Sequence, residues 1–133
     1  MSTTAARSKI MAGVRRTGTT PELAVRDAVR RLSVRFTTDN TDLPGSPDLA
    51  NRRRHFAIFV HGCFWHRHAN CARATTPSSN REFWSNKFKA NARRDRRVVR
   101  ALRRLGFKVM VIWECRTRDP VALTGRIRRF FDS

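Results

Sequence analysis

The sequence predicts an α/β fold, a mixed β-sheet flanked by helices. Three observations point there. Two short apolar runs, Phe56–Val60 and the KVMVIWE stretch at 108–114, have the pattern of strands buried on both faces. Helical patterns with start and stop signals stand before, between and after those runs. The length, 133 residues with 40% hydrophobic, suits one domain with one core.

Residues 1–18 are polar and basic and read as an arm, with room for a short helix around Arg7–Met11; residues 19–133 then form the domain. Thr19-Thr20-Pro21-Glu22 signals a helix start: Thr20 can cap, Pro21 suits the first turn, and Thr19 with Glu22 has capping-box spacing. Leu23, Val25, Val29 and Leu32 give that helix an apolar face, ending near Ser33. Val34–Thr38 is strand-like, 39–45 is rich in turn residues, and Ser46–Ala50 reads as a further short strand. After the first apolar run, Ser79-Asn80-Arg81-Glu82 has capping-box spacing again and opens a long basic helix, with Phe88, Val98, Leu102 and Leu105 toward the core and Gly106 as its stop. The second apolar run follows, and Asp119–Phe131 makes a last amphipathic helix on Val121, Leu123, Ile127 and Phe130.

The charge is lopsided, with 29 Lys+Arg against 10 Asp+Glu and a net +19. A surface this basic calls for a polyanion, and nucleic acid is the expected partner. Most of the excess is arginine, which suits bidentate contacts to phosphate. There is no signal-peptide pattern at the start and no transmembrane run, so the expected location is cytoplasmic, on the nucleoid through DNA binding. Three cysteines in a reducing compartment stay reduced and can bind metal.

HGCFWHRHANC, residues 61–71, gathers three of the four histidines and two of the three cysteines. Cys63, His68 and Cys71 have C-x4-H-x2-C spacing, compact enough for one loop to offer three zinc ligands. Cys115 is the candidate fourth, because it directly follows the second apolar run; if the two strands are neighbours, their ends meet. Such a closed set would be structural. His61 and His66 lie outside it, at a strand end, where α/β sheets build sites. Acidic residues are few. Asp48 could hold Mg²⁺ against a scissile phosphate, although a turn aspartate is the plainer reading. Glu22 reads as a capping-box residue, Asp95 amid RRDRR as half of an intrahelical ion pair, and Glu114 as structural. The PD-(D/E)xK nuclease pattern finds its PD in Pro47-Asp48, but the next strand offers Phe59-Val60-His61 with neither second carboxylate nor lysine.

RSKIM, TTPELAVR, DLPGSPDLA, FAIFVHGCFWHRH, NREFWSNKFKANARRDRR and LGFKVMVIWEC together resemble the very-short-patch-repair (Vsr) mismatch endonucleases, in order and spacing, from about Arg7 to about Phe131. The resemblance implies a restriction-endonuclease-like fold in which F-x-H replaces D/E-x-K. It implies a nick on the 5′ side of the mismatched thymine in a T·G pair in double-stranded DNA. By position, Asp48 and the Val60 backbone carbonyl would hold Mg²⁺, and His66 would polarise the attacking water. Glu22 would orient His66 or the metal's waters, and His61 would contact phosphate or those waters. Cys63, His68, Cys71 and Cys115 would hold structural Zn²⁺.

Phe64, Trp65 and Trp84 would wedge beside the mispair, where unstacking is cheapest. Arg7 and Lys9 of the arm, with Lys87 and Arg93 on the long helix, would grip phosphates. Relaxed cleavage of other mispairs or deaminated bases, and a non-catalytic zinc-containing DNA-binding module, are the competing expectations. A monomer is expected, with mismatch-repair proteins as candidate partners.

Overall fold

One strand sorts the whole molecule into layers. The computed structural model describes residues 19–63, 66, 71 and 79–133, and in it β2 (Phe56–His61) runs through the middle of a three-stranded sheet. Side chains alternate along a strand. Phe56 and Ile58 face a layer made by α1 (Thr20–Arg31) and α3 (Pro120–Asp132), where they meet Val25, Val29, Leu123 and Ile127. Ala57 and Phe59 face the opposite layer, α2 (Arg81–Arg104), and pack with Leu102 and Phe107. β1 (Leu49–Asn51) pairs antiparallel to β2, and β3 (Lys108–Trp113) pairs parallel to it in a register that sets His61 opposite Trp113. The sheet is therefore mixed. The parallel pair needs a long crossover, which α2 supplies.

The helix starts differ in mechanism. α1 is capped by Thr19, not Thr20: its side chain accepts from the Glu22 N–H while Glu22 reaches back to Thr19, a complete capping box. The expected box at Ser79–Glu82 does not form. Asn80 is the N-cap but has φ 56° and ψ 45°, the left-handed region, and its side chain makes no capping bond; a capping side chain needs the extended backbone that Asn80 lacks. α3 starts on Asp119, whose carboxylate accepts from Val121 and Ala122.

Five expectations are corrected. Leu23, Leu105 and Val121 are exposed, Val121 at 82%. Glu22, Val25 and Val29 share the inward stripe of α1, one step of about 100° away from Leu23. Leu105 lies past the last turn of α2, and Val121 stands about 200° around α3 from Leu123. Val34–Thr38 is not a strand: only Thr37 bridges to Ala50, and the Asn51 side-chain amide takes the Arg35 carbonyl that a ladder would use. β3 is less buried than its apolar sequence suggests, with only Ile112 inaccessible, because it lies at the end of the described strand order.

Two details place the segment before β1. The buried Asn40 donates to the carbonyls of Thr37 and Pro47, both at 2.9 Å, and so clamps the loop that delivers Asp48. Gly45 has φ 72°, and a Cβ there would collide with the Val98 side chain, so the loop can lie against α2 only with glycine.

Candidate active site

Asp48, His61 and His66 meet at the carboxyl end of β2, where a half-open cleft of about 430 Å³ also takes in Val60, Arg94 and Asp95. Asp48 stands just before β1, and its Oδ2 accepts the Val60 N–H at 2.7 Å. That bond fixes the carboxyl against the strand. Burial pushes its pKa up to about 7; the Val60 N–H works against this, while the nearby Glu22 carboxyl raises it further. Glu22, itself buried, stands beside Asp48 from the first turn of α1, with Arg26 Nη2 at 3.7 Å. Two adjacent buried carboxyl groups that resist ionising together are, once ionised, a donor set suited to a hard divalent cation.

His61 ends β2 and points to the α2 layer, between Phe59 at 5.8 Å and Trp113 at 5.3 Å (ring centroids). His66 stacks on it, with centroids 3.8 Å apart and planes 8° from parallel. Burial and the neighbouring His66 hold the His61 pKa down to about 4, with Asp95 opposing. His66 is anchored twice: its N–H donates to the Gly62 carbonyl at 3.1 Å, and its Nδ1 lies 2.6 Å from Asp95 Oδ2. A carboxylate on Nδ1 keeps the proton there and leaves the Nε2 lone pair as acceptor.

Asp95 corrects one expectation. Among the described residues it is not half of an intrahelical ion pair; its carboxylate lies on His66. The signal was present in the sequence. Phe88, Ala92, Asp95, Val99 and Leu102 recur at intervals of four and three, so Asp95 is the one acid on the inward stripe of α2. Asn40 was also missed, since a buried loop clamp has no periodicity.

Beyond the cleft, Cys63, Cys71 and Cys115 bring their sulfurs within 4.8 Å of one another, with no disulfide between them. The parallel pairing of β2 and β3 makes this possible, because both strands end at the same edge. Glu114 Oε1 ties the two ends together by accepting the Cys63 N–H at 3.0 Å. Burial raises the Cys63 thiol to about 11; the Cys115 backbone opposes this, and the Cys115 and Cys71 thiols add to it. Crowded thiols of this kind fit a thiophilic cation. His68, Phe64, Trp65, Arg7 and Lys9 lie outside the described residues.

On α2, the half-buried Trp84 packs between Phe83 and Phe88, at 5.4 and 6.0 Å. Lys87 Nζ lies 5.8 Å over the Phe83 ring, and Arg93 is exposed. No helix among the described residues is long and apolar enough to cross a membrane.

A buried carboxyl pair beside a carboxylate-backed histidine, on a chain of net charge +19, is an arrangement suited to hydrolysis of a phosphodiester. Comparison with known proteins is specific. The family profile described as DNA mismatch endonuclease Vsr matches residues 1–73, more than half of the chain. The Type II nicking enzyme V.XorIIP of Xanthomonas oryzae pv. oryzae is 41% identical over 126 residues, covering 95% of this chain and 92% of that protein. The Type II nicking enzyme V.NmeAIP of Neisseria meningitidis is 33% identical, covering 96% and 90%. The DNA mismatch endonuclease Vsr of Escherichia coli is 36% identical over 120 residues, covering 90% and 76%. The chain belongs to the Vsr DNA mismatch endonuclease family and is a DNA-nicking endonuclease.

Proposed function

We propose that the protein nicks double-stranded DNA on the 5′ side of the mismatched thymine in a T·G pair, starting very-short-patch repair. The observation that carries this reading is the facing of Asp48 and the His66–Asp95 pair across one cleft. The name of the Escherichia coli relative supplies the mismatch.

In this reading His66 Nε2 takes a proton from water as the water oxygen bonds to phosphorus. The P–O3′ bond breaks, and the departing oxygen takes a proton from solvent, leaving a 3′-hydroxyl and a 5′-phosphate. Asp95 holds the ring in place and stabilises the imidazolium that forms. His61, kept neutral by burial, lets that charge develop beside it without a like-charged neighbour, and in this reading it would touch a phosphate oxygen. Asp48 and the Val60 carbonyl would hold Mg²⁺, with Glu22 orienting its waters; the ion would neutralise phosphate charge and favour departure of O3′. Cys63, Cys71 and Cys115 suit Zn²⁺, with His68 as fourth ligand, and a closed set of that kind fixes the loop carrying His66.

Phe64, Trp65 and Trp84 are assigned as the wedge at the mispair, and Arg7, Lys9, Lys87 and Arg93 as phosphate contacts. Residues 1–18 then form a DNA-clasping arm on the domain 19–133, with the restriction-endonuclease-like architecture that the F-x-H strand implies. A cytoplasmic monomer fits this assignment, with mismatch-repair proteins as candidate partners.

The test is incubation with Mg²⁺ and end-labelled duplexes, one carrying a single T·G pair and one fully paired, beside Asp48→Ala. One nick just 5′ of the mismatched T, lost with Asp48→Ala and with EDTA, supports site and target together. Cleavage of both duplexes that still needs Asp48 removes the mismatch specificity.

A further inference from the structure

His61 and His66 form a wall between two clefts. Behind them, away from Asp48, lies a second hollow of about 480 Å³, lined by Trp113 and Val99 and edged by Arg96, Arg100 and Arg103. These three arginines stand at i, i+4 and i+7 on α2 and so share one helix face. All three are exposed, and none pairs with an acidic side chain among the described residues. The one carboxylate described on this hollow, Asp95, is engaged by His66. Three like charges one turn apart repel one another, and an anion along the row would relieve that.

The spacing indicates which anion. From Arg96 to Arg103 the helix rises about 10.5 Å, over which one DNA strand presents about three phosphates. Polarity follows from the reaction. In-line displacement sets O3′ opposite the attacking water, hence away from His66 and on the Asp48 side. The strand joined through O5′ is the one able to pass the histidine wall. We propose that Arg96, Arg100 and Arg103 bind the backbone phosphates of the cleaved strand on the 3′ side of the nick. This inference rests on the assignment of Asp48 and His66 made above.

The experiment measures binding of the full chain to a T·G duplex without added Mg²⁺, over a range of salt concentrations. It compares the native protein, the triple variant Arg96→Gln/Arg100→Gln/Arg103→Gln and the triple Arg→Lys variant. Neutral methylphosphonates are placed singly at phosphates 3′ or 5′ of the nick. Each lost phosphate contact removes about 0.9 from the slope of log K against log salt, so the glutamine variant should lose about 2 to 3 while the lysine variant keeps its slope. Methylphosphonates on the 3′ side should weaken the native protein and leave the glutamine variant unchanged. An unchanged slope, or sensitivity confined to the 5′ side or the opposite strand, overturns the proposal. The Asp48 assignment fails separately, by cleavage that survives Asp48→Ala.

Discussion

His61 and His66 stack face to face, 3.8 Å between ring centroids, although one ends a strand and the other sits in the loop beyond it. Two imidazoles that close cannot both carry charge cheaply. The division is set by surroundings: His61 is buried and held neutral, while His66 has the carboxylate of Asp95 at 2.6 Å.

The first prediction concerns that carboxylate. Asp95→Asn keeps the shape but reverses the hydrogen-bond preference at Nδ1. Single-turnover cleavage of a T·G duplex should slow by about 10- to 100-fold, the usual scale for removing a partner that orients a functional histidine, with duplex affinity unchanged. His66→Ala should cost at least as much, and the double variant no more than His66→Ala alone. Additive losses would mean the two residues act separately.

Asp48 and His61 give the metal-free protein opposing pH slopes. Asp48 is raised from 3.8 to about 7, so the folded form holds a proton that the unfolded chain releases, and stability falls as pH rises between those values. His61 is lowered from 6.5 to about 4, so its contribution is present above 6.5 and is lost as pH falls toward 4. The two oppose each other from about pH 4 to 6.5. Denaturant melts without added Mg²⁺ should show Asp48→Asn steepening the loss of stability on acidification through that window. His61→Gln should instead leave a decline toward neutral pH.

If Asp48 holds Mg²⁺ as proposed, the ion must compete there with the proton. Its midpoint in cleavage titrations should therefore fall as pH rises toward about 7 and then level off. A midpoint independent of pH would separate the cation from Asp48.

The thiol cluster predicts one zinc per chain by elemental analysis of protein purified without chelator. Cys115→Ser should lower both zinc content and melting temperature, with cleavage lost as the loop carrying His66 loosens. Full activity in zinc-free protein would leave the sulfurs as packing.

Asn40→Ala removes the donor to the Pro47 carbonyl and one of two donors to the Thr37 carbonyl, which keeps the Ala50 N–H. About 1 to 3 kcal/mol of stability should be lost in urea melts, with a raised Mg²⁺ requirement because the clamped loop carries Asp48.

What the sequence made legible were features with a period or a short spacing. The apolar run at 56–60 announced a central strand, and the close spacing of Cys63 and Cys71 announced the thiol cluster. Cys115 followed from the idea that two buried strands end side by side, which the parallel register bears out. Asp95 was misread because charge order along a helix says nothing about a partner 29 residues away. Leu23 and Val121 were misread because an apolar residue in a helix was assigned inward without regard to its angle from the others. Asn40 gave no sign, since its bonds join loop carbonyls that only the folded chain brings together.

The parallel pairing of β2 with β3 has a consequence for the chain as it is made. His66 and Asp95 are both synthesised before β3, yet Trp113 completes the surround of His61, and Glu114 holds the Cys63 end from 51 residues further on. The chain must therefore be made through Glu114 before the cutting centre can close. A copy that stops before β3 has His66 and Asp95 without the frame that Trp113 and Glu114 complete.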